Sequence, residues 1–433
     1  MLALFAFFFV LVGDYIQSKT KMSDYLIITV DNYADQSYRF SRHKRSQGFI
    51  PTVYKVSSKD TVTAENLRNK IREYHRNGVR YVLLVGNQEH IPVVGIPGYK
   101  DFPGDFYYSL MDDNDKKPDI AVGRIPADNG TEAGQILDKI IAHQKSQVPG
   151  FNRALLVGLC DLPNLNRTED ERLDAAMTGQ DHDDKKLSFS YLYPKPDFRR
   201  TYNPCMRNSK VIRQFEKGQS LAIFMGHGTK TQFVAQGGSW NGVEDSFNLT
   251  DIAKMNNNIQ PVVIVLACLT GRFDDKDNDK CFAEALLSRQ GGGATAVYAA
   301  TRVSIAQNMD CNASLILKAI YNKGIFRIGD VINYAIREQL GSSTGCSSTF
   351  AKKNASEFLL FGDPSQEVLP VDIYRDTGNG KWTKWENLDP QRVTKAKISP
   401  ALCTNPVNSR VEIIYQGTDN YIYYNSIDVK QKW

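Results

Sequence analysis

Two short stretches carry the side chains best suited to covalent chemistry. Gly226-His227-Gly228 directly follows the apolar run 221–225 (LAIFM), and Cys268-Leu269-Thr270-Gly271 directly follows 262–267 (VVIVLA). In parallel α/β sheets, ligands collect beyond the carboxyl ends of the strands, so a side chain just past a strand is well placed to react. If the two strands are neighbours, imidazole and thiol leave the same sheet edge. A thiol is mostly protonated at neutral pH; an adjacent imidazole raises its thiolate fraction and later protonates a leaving amine. Gly226 and Gly228 strip bulk from around the imidazole. The N–H groups of Gly228 and Cys268 can then face a carbonyl oxygen as it turns negative, a contribution of roughly 3 kcal/mol per donor.

Each signal has an ordinary reading. A lone cysteine ending an apolar strand is usually a small buried hydrophobe, and Gly-His-Gly is usually a turn. Rival groups are weaker. His90 follows a strand (VGNQEHIP) but sits beside Pro92, and Cys160 follows 154–159 (ALLVGL). Its neighbour Asp161 should emerge on the same edge, where it either orients His227 or closes a turn. His43, His75, His143 and His182 read as solvated helix or loop residues. Other chemistries lack their parts. No Gly-x-Gly-x-x-Gly follows a strand and no Walker loop exists, which leaves nucleotide phosphates without a cradle. Zinc spacings such as Cys-x-x-Cys are missing, and no cofactor is expected. Asp275, Asp277 and Asp279, or Asp112, Asp113 and Asp115, offer a structural calcium site or a hydrated acidic loop, the latter being the commoner outcome.

The elements that must position these residues alternate short β-branched runs with helical patterns, the signature of parallel α/β units. The run 25–30 (YLIITV) is a first strand. Thr63 is an N-cap, Leu67, Ile71 and Tyr74 share a face, and Gly78 stops the helix. Strands follow at 81–85 (YVLLV) and 120–125 (IAVGRI), then a helix over 132–147 and the breaker Pro149-Gly150. The pattern restarts at 154–159 and continues through 221–225, 262–267 and 293–299. Near-continuous apolar strands of this kind are covered on both faces. The expected organisation is a leader over 1–24, an N-terminal α/β subdomain over 25–150 and a catalytic α/β subdomain over 151–370. In the tail, 371–433, alternation around Gly417-Thr418-Asp419-Asn420 signals a hairpin in a small β module.

At 433 residues, the chain is 42% hydrophobic and 23% charged, ordinary globular composition that argues against disorder or a coiled-coil rod. Its net charge of +5 is too small and dispersed for nucleic acid. Seven cysteines are an odd number, so at least one thiol is free in a monomer. The apolar run 2–13 is too short for a membrane span of roughly 20 residues and suits a signal h-region. Against that, Lys19 and Lys21 follow the run and no basic residue precedes it. The expectation is secretion, or a cytoplasmic protein should translation begin at Met22.

Several of these stretches together resemble the gingipain family of cysteine peptidases, relatives of the caspases. The likeness spans about Tyr25 to Pro370 and includes YVLLVGNQEHIP, PDIAVGRIPAD, MGHGT, VLACLTGRFD, CFAEAL and FLLFGDPS. It implies a three-layer α/β/α sandwich in two tandem subdomains, with Cys268 as nucleophile, His227 as acid/base and Asp161 at the third, carboxylate position. It also implies cleavage after Arg or Lys, read by an acidic residue for which Asp170 and Glu171 are the candidates. Two departures stand out. Ala306 occupies the place of a tryptophan in the arginine-specific members, and the family's long prodomain has no counterpart ahead of Tyr25. The tail (EIIYQGTDNYIYYN) is similar to a lectin-like propeller repeat, which suggests contact with a glycan or a surface.

The function these readings favour is a cysteine endopeptidase acting on protein or peptide substrates through an acyl-enzyme. The alternatives are a non-catalytic α/β binding protein with a vestigial dyad, and a ligase or transpeptidase using the same acyl-enzyme.

Overall fold

The structure, a computed structural model, describes residues 23–57, 62–146, 153–158, 188–192, 208–234, 246–275, 279–304, 309–341 and 348–368. It also gives the backbone of five strands between 373 and 428. In chain order the strands of the main body are β1 (Tyr25–Val30), β2 (Pro51–Val56), β3 (Tyr81–Val85), β4 (Ala121–Ile125), β5 (Arg153–Val157), β6 (Ser188–Leu192) and β7 (Leu221–Met225). Three short strands follow, β8 (His227–Thr229), β9 (Gln232–Val234) and β10 (Ser246–Asn248), and then β11 (Val262–Leu266), β12 (Ala296–Ala300) and β13 (Phe358–Gly362). The helices are α1 (Ala34–Ser46), α2 (Ala64–Arg76), α3 (Gly130–Ser146), α4 (Asn208–Glu216), α5 (Leu249–Ala253), α6 (Phe282–Ser288), α7 (Met309–Tyr321), α8 (Ile328–Leu340) and α9 (Ser348–Glu357).

One sheet of ten strands runs through both halves in the order β2-β1-β3-β4-β13-β12-β11-β7-β5-β6. Its neighbours pair parallel except β12 with β13, which is antiparallel. The central strands are buried throughout, and alternate residues serve opposite faces, as the two-residue period of a strand requires. On one face Ile27, Leu83 and Phe224 pack with Phe40 of α1, Ile136 and Ile140 of α3, Phe215 of α4 and Leu286 of α6. On the other, Ile223 and Ile264 pack with Ile316 of α7, Val331 of α8 and Ala355 of α9, while Leu26 and Leu84 pack with Leu67 and Ile71 of α2. The result is a three-layer α/β/α sandwich.

Local signals act as the sequence leads one to expect. The Thr63 hydroxyl accepts the Asn66 amide at 3.2 Å and caps α2, and Gly78 takes a φ of 103° just past its end. The halves meet edge to edge at β4 and β13, where a Cβ on Gly123 would stand 2.3 Å from the Gly362 carbonyl oxygen. Beside this seam the Asp363 carboxylate, fully buried, accepts Lys44 Nζ at 2.5 Å, the Tyr25 hydroxyl at 2.7 Å and Gln144 Nε2 at 2.9 Å. Arg124, also buried, forks onto Asp105 at 2.7 and 2.8 Å and donates to the Gly86 and Ile91 carbonyls.

Two histidines depart from expectation. His43 is only 7% exposed and pairs with Gln144 at 2.8 Å, because α1 and α3 pack together and bury it. Burial also drives the His143 pKa down to about 4. His75 bonds the Val79 carbonyl, and His182 lies outside the described residues. The last strands, β14 (Ile373–Asp376), β15 (Trp382–Lys384), β16 (Ala401–Asn405), β17 (Arg410–Gln416) and β18 (Ile422–Asp428), form a separate sheet in the order β15-β14-β18-β17-β16. Within it β17 and β18 pair antiparallel, flanking the expected turn.

Candidate active site

β7 and β11 are hydrogen-bonded neighbours whose register sets Met225 opposite Leu266. The ladder extends one step further, with the Gly226 amide donating to the Leu266 carbonyl at 3.1 Å. Two residues past that last pair stand His227 on one strand and Cys268 on the next, at the same level of the same sheet edge. Strands lie about 4.8 Å apart, a distance that the two side chains can bridge. The closeness is direct at Gly228, where a Cβ would lie 2.6 Å from the Cys268 carbonyl oxygen and 2.7 Å from Thr270 Cγ2. Only glycine fits.

His227 does not sit in a turn. It opens β8, which pairs antiparallel with β9 (His227 opposite Val234), while β9 pairs with β10. Buried Phe233 and Phe247 fasten this flap against Phe224 of β7, with ring centroids at 5.2 and 6.3 Å. The imidazole-bearing residue itself stays exposed. Cys268 is half-buried and free. Its chain then bends sharply: Leu269 adopts a φ of 62°, rare for a residue with a Cβ and costing of order 1 kcal/mol. The bend is held by the Leu269 amide on the Arg302 carbonyl at 3.1 Å and the Gly271 amide on the Ala300 carbonyl at 2.8 Å.

The next strand along, β12, leads into a segment that strand-end reasoning passed over. Arg302 forks onto Asp274 at 2.8 and 2.5 Å, and Gln88 Nε2 donates to the Asp274 carbonyl at 2.8 Å, which ties the loop after Cys268 to the first half of the chain. Ser304 Oγ stands 3.6 Å from Cys268 Sγ. These residues follow an apolar strand just as His227 and Cys268 do; the adjacency of β12 to β11, the missing cue, is non-local. Beneath them Glu357 is fully buried, and that burial outweighs its Lys353 partner to raise its pKa to about 7.

Asp161, Asp170, Glu171 and Ala306 lie outside the described residues. His90 bonds Asn87 Oδ1 at 2.7 Å and packs on Tyr33, a loop-forming role. Among the described residues no group of three or more His, Cys, Asp or Glu is placed to hold a metal. Asp113 instead takes Arg68 and Arg72 at 2.7 and 2.6 Å, and Asp275 takes Arg272 at 2.8 Å; Asp277 lies outside the described residues. Cys281 is buried and free, and Cys311 is disulfide-bonded.

An α/β/α sandwich with a thiol and an imidazole on adjacent strand ends is an arrangement also found in cysteine peptidases built on an open sheet. A profile of peptidase family C25 matches residues 18–369, and the chain belongs to that family. It is 27% identical to gingipain R2 of Porphyromonas gingivalis over 274 residues, 62% of this chain and 35% of the relative. It is 23% identical to Lys-gingipain HG66 of the same organism over 296 residues, 66% of this chain and 16% of the relative. The chain thus spans about a third or less of the length of these curated relatives. Its fold is similar to the crystal structure of the Arg specific cysteine proteinase gingipain R, with a TM-score of 0.64 at 17% identity, covering 95% of this chain and 99% of the other. The complex of the Porphyromonas gingivalis RgpB pro- and mature domains gives the same TM-score of 0.64 at 18% identity, covering 93% of this chain and 99% of the other.

Because Gly228 is held by space rather than by φ, Gly228→Ala must push β8 away from the Cys268 carbonyl. Misplacement of about 1 Å at reacting groups costs on the order of 100-fold, so kcat/KM should fall by about that factor while the protein stays folded. Steady-state kinetics beside a thermal melt checks this; an unchanged kcat/KM contradicts it.

Proposed function

We propose that the chain is an endopeptidase in which Cys268 attacks the scissile carbonyl and His227 moves the protons. The register that sets His227 level with Cys268 across β7 and β11 carries this reading. His227 takes the thiol proton, the thiolate forms a C–S bond, and the carbonyl oxygen becomes an oxyanion facing the Gly228 and Cys268 amides. As the C–N bond breaks, imidazolium gives its proton to the leaving amine. Water, deprotonated by His227, then attacks the thioester, releasing the acid and returning the sulfur. Asp161, at the carboxylate position of the family pattern, would orient the imidazole.

The names of two relatives, Arg specific gingipain R and Lys-gingipain, support cleavage after a basic residue, with Asp170 or Glu171 as its carboxylate partner. The apolar run 2–13 and the disulfide of Cys311 support a protein exported to an oxidising compartment, since such bonds are rare in the cytosol. Cleavage of a random peptide mixture by the purified protein tests the function. Cuts are expected after Arg or Lys, with a peptidyl thiol reagent trapped on Cys268. Cleavage with no basic preference overturns the specificity; no cleavage and no labelling of Cys268 overturn the peptidase.

A further inference from the structure

Ser304 meets the sulfur of Cys268 twice. Its hydroxyl oxygen lies 3.6 Å from Sγ, and its backbone carbonyl accepts the thiol at 3.8 Å. The residue is 8% exposed, so water competes little for the hydroxyl. The two residues before it are tied down: the Arg302 carbonyl holds the Leu269 amide, and Lys353 Nζ donates to the Val303 carbonyl. Neighbouring charges are paired among themselves, Arg302 with Asp274 and Lys353 with Glu357, and exposed His227 opens β8, whose Gly228 packs on the Cys268 carbonyl.

We infer that Ser304 is a further catalytic residue, its hydroxyl donating a hydrogen bond to the sulfur of Cys268 when that sulfur is anionic. The argument rests on the peptidase reading and deepens it. A thiol and a thiolate ask for opposite partners. The S–H needs an acceptor, which the Ser304 carbonyl supplies; the anion needs a donor, which the rotatable hydroxyl supplies. Hydrogen bonds to charged groups are worth more than neutral ones, so the hydroxyl favours the anion over the thiol. The anion appears twice in the cycle, before attack on the carbonyl and again when the C–S bond of the thioester breaks and the sulfur departs with the bonding pair. One hydroxyl therefore assists both formation of the nucleophile and its expulsion. All the proton transfers remain with His227; Ser304 keeps its own proton throughout.

Three versions of the full chain test this: wild type, Ser304→Ala and Ser304→Thr. The readout is the rate of iodoacetamide alkylation at Cys268 against pH, located by peptide mass spectrometry so that other cysteines do not contribute. Removing the hydroxyl should move the alkylation midpoint toward alkaline pH by about one unit and lower kcat/KM about tenfold. Threonine, which keeps the hydroxyl, should restore both. A midpoint in Ser304→Ala equal to wild type overturns the inference, as does a threonine variant that behaves like alanine. A merely structural role would lower the melting temperature without moving the midpoint, and that outcome also overturns it. Alkylation needs no peptide turnover. A midpoint shifted in Ser304→Ala, beside a wild-type protein that cleaves nothing, would therefore support the hydrogen bond while overturning the peptidase.

Discussion

Cys268→Ala should lower kcat for peptide hydrolysis by at least about 10⁴-fold and leave the melting temperature within a degree or two of wild type. Removing the nucleophile of a covalent mechanism leaves only what binding and oxyanion stabilisation supply to a water attack. No other described thiol can substitute. Cys281 is 0% exposed beneath the N-terminus of α6, where burial raises its pKa well above that of an ordinary thiol, and Cys311 is disulfide-bonded. The fold should survive because Cys268 is half-buried and its sulfur meets only Ser304 among the hydrogen-bonding groups described. His227→Ala should cost a similar factor, and the double variant little more than either single one, since the proposed mechanism has the two groups act as a unit. Cleavage of a basic-residue reporter peptide and a thermal melt are the measurements. More than 1% residual activity in a folded Cys268→Ala protein sinks the assignment.

How far the sequence discloses this site depends on which step is local. That His227 and Cys268 each follow an apolar strand is a local fact, and so is the Thr63 cap of α2; both are legible because neighbours in sequence decide them. That β7 and β11 lie side by side is not local, and the strand-end argument has to assume it until the register is seen. The same gap hides Ser304, whose relevance depends entirely on β12 being the next strand along. It also hides the direction of β13. FLLFG reads as a fully covered strand whichever way it runs, and only its pairing with β12 reveals the antiparallel step. His43 fails for a related reason. On α1 alone it looks polar and free, but α3 arrives from about 100 positions later and buries it against Gln144. The motif FGDPS is readable as a resemblance, yet nothing in its spacing says that its aspartate takes a lysine from α1.

That aspartate supports the second large effect. Asp363→Asn and Lys44→Met should each destabilise the protein by about 3–5 kcal/mol, because each leaves the other charge buried without its counterion. The pair lies 0% and 1% exposed at 2.5 Å, and the carboxylate also takes the Tyr25 hydroxyl, Gln144 Nε2 and the Ser365 amide and hydroxyl. Burial alone would raise the Asp363 pKa; the Lys44 charge and the bonds from Lys44, Gln144 and Tyr25 overcome it and hold the group at about 2. The sign then follows. The unfolded carboxyl titrates near 3.9, so its contribution is present in full above that pH and is lost as pH falls toward about 2. About 2–3 kcal/mol is involved. The gap in stability between wild type and Asp363→Asn should therefore hold steady from pH 7 to 5 and narrow below 4, as read by urea titrations. The double variant should cost much less than the two single ones added, because it removes both charges together. A gap unchanged down to pH 2 refutes the coupling. The four segments joined here, β1, α1, α3 and the end of β13, come from both halves of the chain, and β13 is the strand that flanks β12. Loosening Asp363 should accordingly disturb the segment carrying Arg302 and Ser304, so Lys44→Met should lower kcat/KM even at temperatures where it remains folded.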